Sequence, residues 1–334
     1  LFRSWTTIGG ALGLGLASPL LFYAINFWEH TLAAALVFMA CFLSATALTG
    51  NSSFRAALAG VVLALAVAFR NETALFAPAV VLSIFLVRGL PALKLMIAFS
   101  LGMILGLCPL LIFNQVVYGT LLGPHVVVAG AGMRLSVSEW ISMLVIPLRP
   151  ISLPLTIAAL VVVRLAERFI PKLRAYSPLL VIALMIAVVV QCTASLGEIT
   201  YTSLLVTFPF ALLIALPLPE RPQEQRGEHE LMTYLQWVAL LFVLLCLIVR
   251  LPDGGAQHGP RMLLPVMPPL LLVGLWRVEQ WWRNGRAPQY LAATGVAVAL
   301  IAHASLIAQA DGLKFYQYVI ARNHELLSSV AQSQ

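Results

Sequence analysis

The run LMIAFSLGMILGLCPLLIFN, residues 95–114, decides which solvent this chain folds in. It holds no charged residue, and as a helix its twenty residues rise about 30 Å, the thickness of a bilayer's hydrocarbon core. The rest of the chain agrees. Of its 334 residues 61% are hydrophobic and 10% charged, with mean hydropathy +0.95. Ordinary globular proteins are about 45–50% apolar and about 25% charged, so a water-soluble domain is excluded.

Reading apolar runs between charges and turn formers, outward from this one, gives an all-α polytopic membrane protein of about eleven helices with short interfacial helices at the outer face. The spans run roughly 5–26, 31–49, 56–69, 73–87, 95–114, 151–163, 177–196, 201–218, 231–249, 262–276 and 290–310. Residues 1–310 then form one membrane-embedded unit and 311–334 an extramembrane tail. The opening Leu1-Phe2-Arg3, without methionine, leads to the expectation that an N-terminal part precedes this chain. Between Gly119 and Pro150 the sequence is too mixed to span, and Leu135 to Ile146 fits a short helix lying in the outer interface.

The net charge is +7, but the 20 Lys and Arg are scattered singly, which fits membrane topology and not nucleic acid. With alternating spans, thirteen cations fall on one face: Arg3, Arg55, Arg88, Lys94, Arg164, Arg168, Lys172, Arg174, Arg221, Arg226, Arg277, Arg283 and Arg286. Only five, Arg70, Arg134, Arg149, Arg250 and Arg261, fall in the opposite loops. The positive-inside rule makes the first face cytoplasmic. The four cysteines sit singly in apolar runs, so neither a disulfide framework nor a zinc site is expected.

Transport driven by ions or protons needs ionisable groups within the bilayer. None of Asp, Glu, Lys or Arg falls inside the spans above, and His303 alone among the histidines does. The polar chemistry gathers instead at the outer mouths. There Phe27-Trp28-Glu29-His30 follows Ser18-Pro19. A carboxylate beside an imidazole can deprotonate a hydroxyl; equally, these residues make an interfacial turn with Trp28 in the aromatic belt.

Arg70-Asn71-Glu72 links two short spans. Residues 56–69 rise only about 21 Å, which leaves Arg70 and Glu72 in a recess near the lipid phosphates. Arg70 then grips a lipid-borne phosphate, or pairs with Glu72 to close the turn. The stretch from Asp253 to Arg261 carries Gly254, Gly255, Gln257, His258, Gly259 and Pro260 directly before a span. Pro260 suits a first helical turn, so a helix N-terminus with His258 and Arg261 is a candidate phosphate cradle. Asn114, Tyr118 and His125 line the same vestibule or serve only as interfacial structure.

These residues, in this order, resemble the GT-C type of polyprenyl-phosphate-sugar-dependent membrane glycosyltransferases, the group that includes protein O-mannosyltransferase-like and aminoarabinose-transferase-like proteins. Ser18-Pro19 leading to Glu29 looks like that family's Ser-Pro span ending in a carboxylate. Ala59-Gly60 to Arg70 looks like its small-residue span ending in a cation, usually Lys, and Gly259-Pro260-Arg261 before Leu263-Leu264-Pro265 recurs in bacterial members.

The resemblance implies a bacterial inner-membrane enzyme, active on the periplasmic face, taking a polyprenyl-phosphate sugar to a hydroxyl of a lipid, glycan or protein. It carries Glu29 over as a second acidic residue of the site, which with the neighbouring imidazole of His30 makes the pair of catalytic candidates. Arg70 is the lipid-phosphate contact, with Asn71, Glu72, Tyr118, His125, Gln257, His258 and Arg261 lining the substrate. The family's main catalytic carboxylate lies in a first external loop, which here would precede Leu1. No cluster has metal-ligand spacing, so neither metal nor cofactor is expected. The rival expectation is a lipid or polysaccharide flippase or transporter.

Overall fold

The computed structural model describes residues 4–25, 29–123, 136–148, 150–170, 172–173, 176–194, 196, 203–217, 226–249, 259–283 and 288–332. Its α-helices are α1 (Ser4–Leu16), α2 (Leu20–Ile25), α3 (Glu29–Gly50), α4 (Ser53–Phe69), α5 (Phe76–Arg88), α6 (Leu93–Tyr118) and α7 (Val137–Leu144). They continue as α8 (Ser152–Phe169), α9 (Ser177–Ala194), α10 (Leu204–Thr207), α11 (Arg226–Val249), α12 (Met267–Arg283) and α13 (Pro288–Gln332). Tighter 3-10 turns occupy Asn71–Leu75, Leu90–Ala92, Pro209–Ala215 and Arg261–Val266. There is no strand among the described residues, so the all-α expectation holds.

Seven stretches among the described residues are long and apolar enough to cross a membrane: Glu29–Gly50, Asn71–Arg88, Leu90–Tyr118, Ser177–Ala194, Gly227–Val249, Arg261–Arg283 and Tyr290–Lys314. The expected count of about eleven is corrected to this, and each difference has a local cause.

Residues 5–26 are two helices, not one. Pro19 lacks an N–H, and the Ser18 hydroxyl donates to the Leu14 carbonyl at 2.6 Å while accepting from the Leu20 N–H at 3.2 Å. α4 has 17 residues, about 25 Å, and is apolar but short. α8 runs on past Val163 through Arg164 and Glu167, which pair along the helix. The described residues of the expected span 201–218, 203–217, contain no spanning helix. Phe208 precedes a proline and takes φ −140°, ψ 66°, which ends α10 after one turn. The apolar composition that imitated a span reflects burial on every side, since Ser203 to Leu213 are all buried.

α4 and α6 form the tightest pair. A Cβ on Gly60 would collide with the Phe99 carbonyl, and one on Gly102 with the Ala57 carbonyl, so the backbones touch where only glycine fits. α12 lies at the centre, buried from Met267 to Leu271 and again from Trp276 to Trp281. The broken segment is fastened to it: Arg277 donates to the Leu216 carbonyl and to Gln236 Oε1, and Trp281 Nε1 donates to the Pro217 carbonyl at 2.7 Å. Its other end is held by α13, where Gln309 Nε2 donates to the Thr207 carbonyl at 3.0 Å.

The helices alternate between two rims. Glu29, Arg70 and Arg261 lie on one, because α3 starts there, α4 ends there and the Arg70 side chain meets both Glu29 and Met262. Arg88 pairs with Glu230 on the other, where the His229 and Trp276 rings stand 5.8 Å apart. Arg277 and Glu279 lie beyond the expected end of their span, 6% and 1% exposed. His303, the histidine that the sequence places inside a span, is exposed on α13. α7 is the short helix expected between the spans, with Trp140 and Leu144 buried and Val137 exposed.

Candidate functional site

Chain reversal builds the site. α4 ends because Arg70, its C-cap, turns extended at φ −146°, ψ 108°, while its N–H still reaches the Ala66 carbonyl at 2.9 Å. Thr73 then donates its N–H, at 3.0 Å, and its hydroxyl, at 2.7 Å, to the Arg70 carbonyl. That closed turn places Glu72 beside the side chain it follows. α3 runs antiparallel to α4, so its first residue, Glu29, arrives at the same rim.

Arg70 is the hub. Its Nε donates to Glu72 Oε1 at 2.7 Å and its Nη1 to Glu29 Oε1 at 3.0 Å. Its Nη2 faces the Met262 sulfur at 3.9 Å, a weak acceptor. The side chains of Arg70, Glu72 and Glu29 are 16%, 10% and 43% exposed, so Glu29 is the member open to an incoming molecule. His30 is buried, its ring edge-on to Tyr23 at 5.1 Å, and the charges of Arg70, Glu29 and Arg261 all act on it.

The Gly259-Pro260-Arg261 approach reaches the same place. Gly259 has φ 78°, and a Cβ there would lie 2.9 Å from Pro19 and 3.6 Å from the Thr207 hydroxyl. The Ser18-Pro19 break, the broken buried segment and Arg261 therefore meet. The expected α-helical N-terminus at Pro260 is corrected: Arg261–Val266 is a 3-10 turn with Pro265 inside it, and the α-helix proper begins only at Met267. The N–H groups at Arg261 are therefore those of a short 3-10 turn leading into the α-helix, and the Arg261 side chain adds a cation beside them.

The residues expected to form the site divide as follows. Glu29, His30, Arg70, Glu72 and Arg261 come together, and Asn71 lies exposed in the same turn. Tyr118 ends α6, exposed, with its ring edge-on to Phe113 at 6.1 Å, and has no part in the Arg70 hub. His125, Gln257 and His258 lie outside the described residues. Tyr23, Met262 and Thr207 were not expected. Only the Ser18-Pro19 and Gly-Pro-Arg neighbours hint at them, because contact between distant segments leaves no local pattern.

Below the rim is an apolar recess of about 160 Å³, lined by Gly10, Leu14, Phe38, Pro268, Leu271 and Leu275. Phe38 is nine residues along α3 from Glu29, about 13 Å deeper. Among the described residues no three His, Cys, Asp or Glu side chains gather as metal ligands would. Chemically, the rim offers an exposed carboxylate held by an arginine, a second arginine, a buried imidazole and an apolar hollow beneath. No family model, curated protein or solved structure matches the chain.

Proposed function

We propose that the chain is the membrane-embedded part of a glycosyltransferase that moves a sugar from a polyprenyl phosphate to a hydroxyl of a lipid, glycan or protein. The observation that carries this reading is the joining of Glu29, Arg70, Glu72 and Arg261 at one rim. The apolar recess deeper along α3 and α12 supports it, because a prenyl chain needs such a surface beside its phosphate. Arg55, Arg88 and Lys94, at the ends of α4, α5 and α6 away from Arg70, support a periplasmic position for this rim in a bacterial inner membrane.

In this reading Glu29 takes the proton of the acceptor hydroxyl. The oxygen forms a bond to the anomeric carbon while the bond from that carbon to the phosphate oxygen breaks, its electron pair leaving with the phosphate. Arg261 and the outer edge of Arg70 neutralise the departing charge. His30, buried beside these charges, lies within their electrostatic reach. The test is incubation of the protein in liposomes with radiolabelled polyprenyl-phosphate sugars and acceptor extracts. Glycosidic product is expected, whereas label that only changes leaflet removes the transferase.

One observation favours the rival transporter. The buried broken segment from Leu204 to Pro217 has the discontinuous backbone on which transporters build sites near the midplane. Leaflet exchange without product would select that reading.

A further inference from the structure

The two carboxylates on Arg70 are held unequally. Glu72 is 10% exposed and belongs to a turn closed by both donors of Thr73. Glu29 is 43% exposed and begins its helix, so its bond at 3.0 Å faces water and competing solutes. A guanidinium has two edges that present parallel pairs of N–H groups, Nε with Nη2 and Nη1 with Nη2. Glu72 takes Nε from the first. The second is what remains for an anion that binds through two oxygens, and there Glu29 already sits on Nη1 while Nη2, among the described residues, faces a thioether.

We propose that Glu29 and a phosphate ester compete for this edge of Arg70, so that docking of the donor phosphate releases Glu29. The proposal rests on the phosphate reading of the site and adds an order of events to it. Without donor, Arg70 holds Glu29 and the carboxylate is occupied. A phosphate on the Nη1–Nη2 edge brings a second anion against Glu29, and repulsion between like charges turns the half-exposed side chain outward. Glu72, buried and bound at Nε, keeps the guanidinium in place throughout. The Oε1 that Arg70 holds thus becomes available to an acceptor hydroxyl only when the donor is present, which couples the full basicity of the carboxylate to donor binding.

The experiment measures binding, independently of transfer. Farnesyl phosphate is titrated into the full chain in nanodiscs for the wild type, Glu29→Gln, Arg70→Gln and the double variant, with inorganic phosphate in a parallel series. Glu29→Gln is expected to tighten farnesyl phosphate about two- to fivefold, the size of an exposed ion pair, and Arg70→Gln to weaken it. The gain from Glu29→Gln is expected to vanish in the Arg70→Gln background. Should Glu29→Gln fail to fold, Glu29→Asp carries the same test, since it is one methylene short of Nη1.

Unchanged or weaker binding by Glu29→Gln, with Arg70→Gln still weakened, overturns the competition and leaves the phosphate reading standing. If Arg70→Gln binds as wild type, or inorganic phosphate binds as well as farnesyl phosphate, the phosphate-lipid reading itself falls and takes the competition with it.

Discussion

Glu29 and Arg70 are 41 residues apart in the chain and 3.0 Å apart in space, because two antiparallel helices begin and end at the same rim. The ion pair is local chemistry produced by topology. Its worth to the fold is small on the exposed Glu29 side and larger on the Glu72 side, where removal of the arginine strands a carboxylate that water barely reaches.

Arg70→Ala is accordingly expected to destabilise the protein by about 1–3 kcal/mol, below the full cost of an orphaned buried charge because Glu72 retains some solvent. Sugar transfer is expected to fall roughly a hundredfold or more. Arg70→Lys keeps a charge but cannot bind both carboxylates through a fork, so it should recover most of the stability and little of the activity. Melting in detergent and product formation in liposomes check both. Wild-type turnover in Arg70→Ala would dismiss the hub as mere structure.

The seam between α4 and α6 makes a purely structural prediction. Gly102→Val places carbon where the Ala57 carbonyl already is, and the clash is with backbone, so the helices must part. A loss of about 1–3 kcal/mol or more is expected, read as a lower melting temperature. Gly15→Ala, where a Cβ meets nothing within 4 Å, is the matched control and should melt as wild type.

How much of this the sequence showed depends on whether a signal is local. Uncharged runs such as residues 95–114 display their helices openly, since length and apolarity alone set a span. Residues 201–218 display the same apolarity for a different reason. Residues 203–213 are packed inside protein, and the Phe208-Pro209 break weighs little beside the twelve other apolar residues of the run in any averaging of hydropathy. In the site, the Arg70–Glu72 turn was legible because a single residue separates the partners. The Glu29–Arg70 pair was suggested only by order along the chain. Met262 beside Arg70 and Pro19 beside Gly259 were invisible, because which helices become neighbours is decided by packing across the whole bundle.

Arg277 tests whether the broken segment is held by design of the core. It donates to the Leu216 carbonyl and Gln236, and Trp281 holds the next carbonyl, so the segment's C-terminal end has no water to replace them. Arg277→Met should cost about 2–4 kcal/mol by leaving a buried carbonyl unmet. Trp281→Phe removes one neutral hydrogen bond and should cost about 1–2 kcal/mol. Hydrogen exchange over residues 204–217 should rise in both variants. Exchange that stays at the wild-type level would mean the segment is held by apolar packing alone.

The start of α7, outside the spans, makes a pH prediction. Ser136 and Glu139 form a reciprocal cap: the Glu139 N–H donates to the Ser136 hydroxyl, and the Ser136 N–H donates to the Glu139 carboxylate at 2.8 Å. The Ser136 hydroxyl, and then its backbone N–H, hold the Glu139 pKa below the ordinary carboxylate value. A group depressed in the folded state stabilises it above its unfolded pKa and loses that contribution as pH falls through the folded one. The start of α7 should therefore fray below about pH 4 and remain capped at neutrality. Amide exchange at Trp140 and Ile141 reports it. Glu139→Gln should show no such acid step, and an acid step of undiminished size in that variant would assign the response elsewhere.

Gly259 links the fold to the site more directly. Its φ of 78° alone disfavours a side chain, and a Cβ would also press on Pro19 at 2.9 Å, so alanine there displaces the turn that delivers Arg261. Gly119 separates the two effects: it has φ 71° but open space around its Cβ, at the end of α6. Both alanine variants should lose about 1 kcal/mol of stability from backbone strain. Only Gly259→Ala should raise the KM for the lipid-linked donor, by roughly tenfold, with a smaller change in kcat, because the misplaced cation acts in donor binding before the chemical step. Equal kinetics for the two variants would show that the contact between Gly259 and Pro19 does not position Arg261.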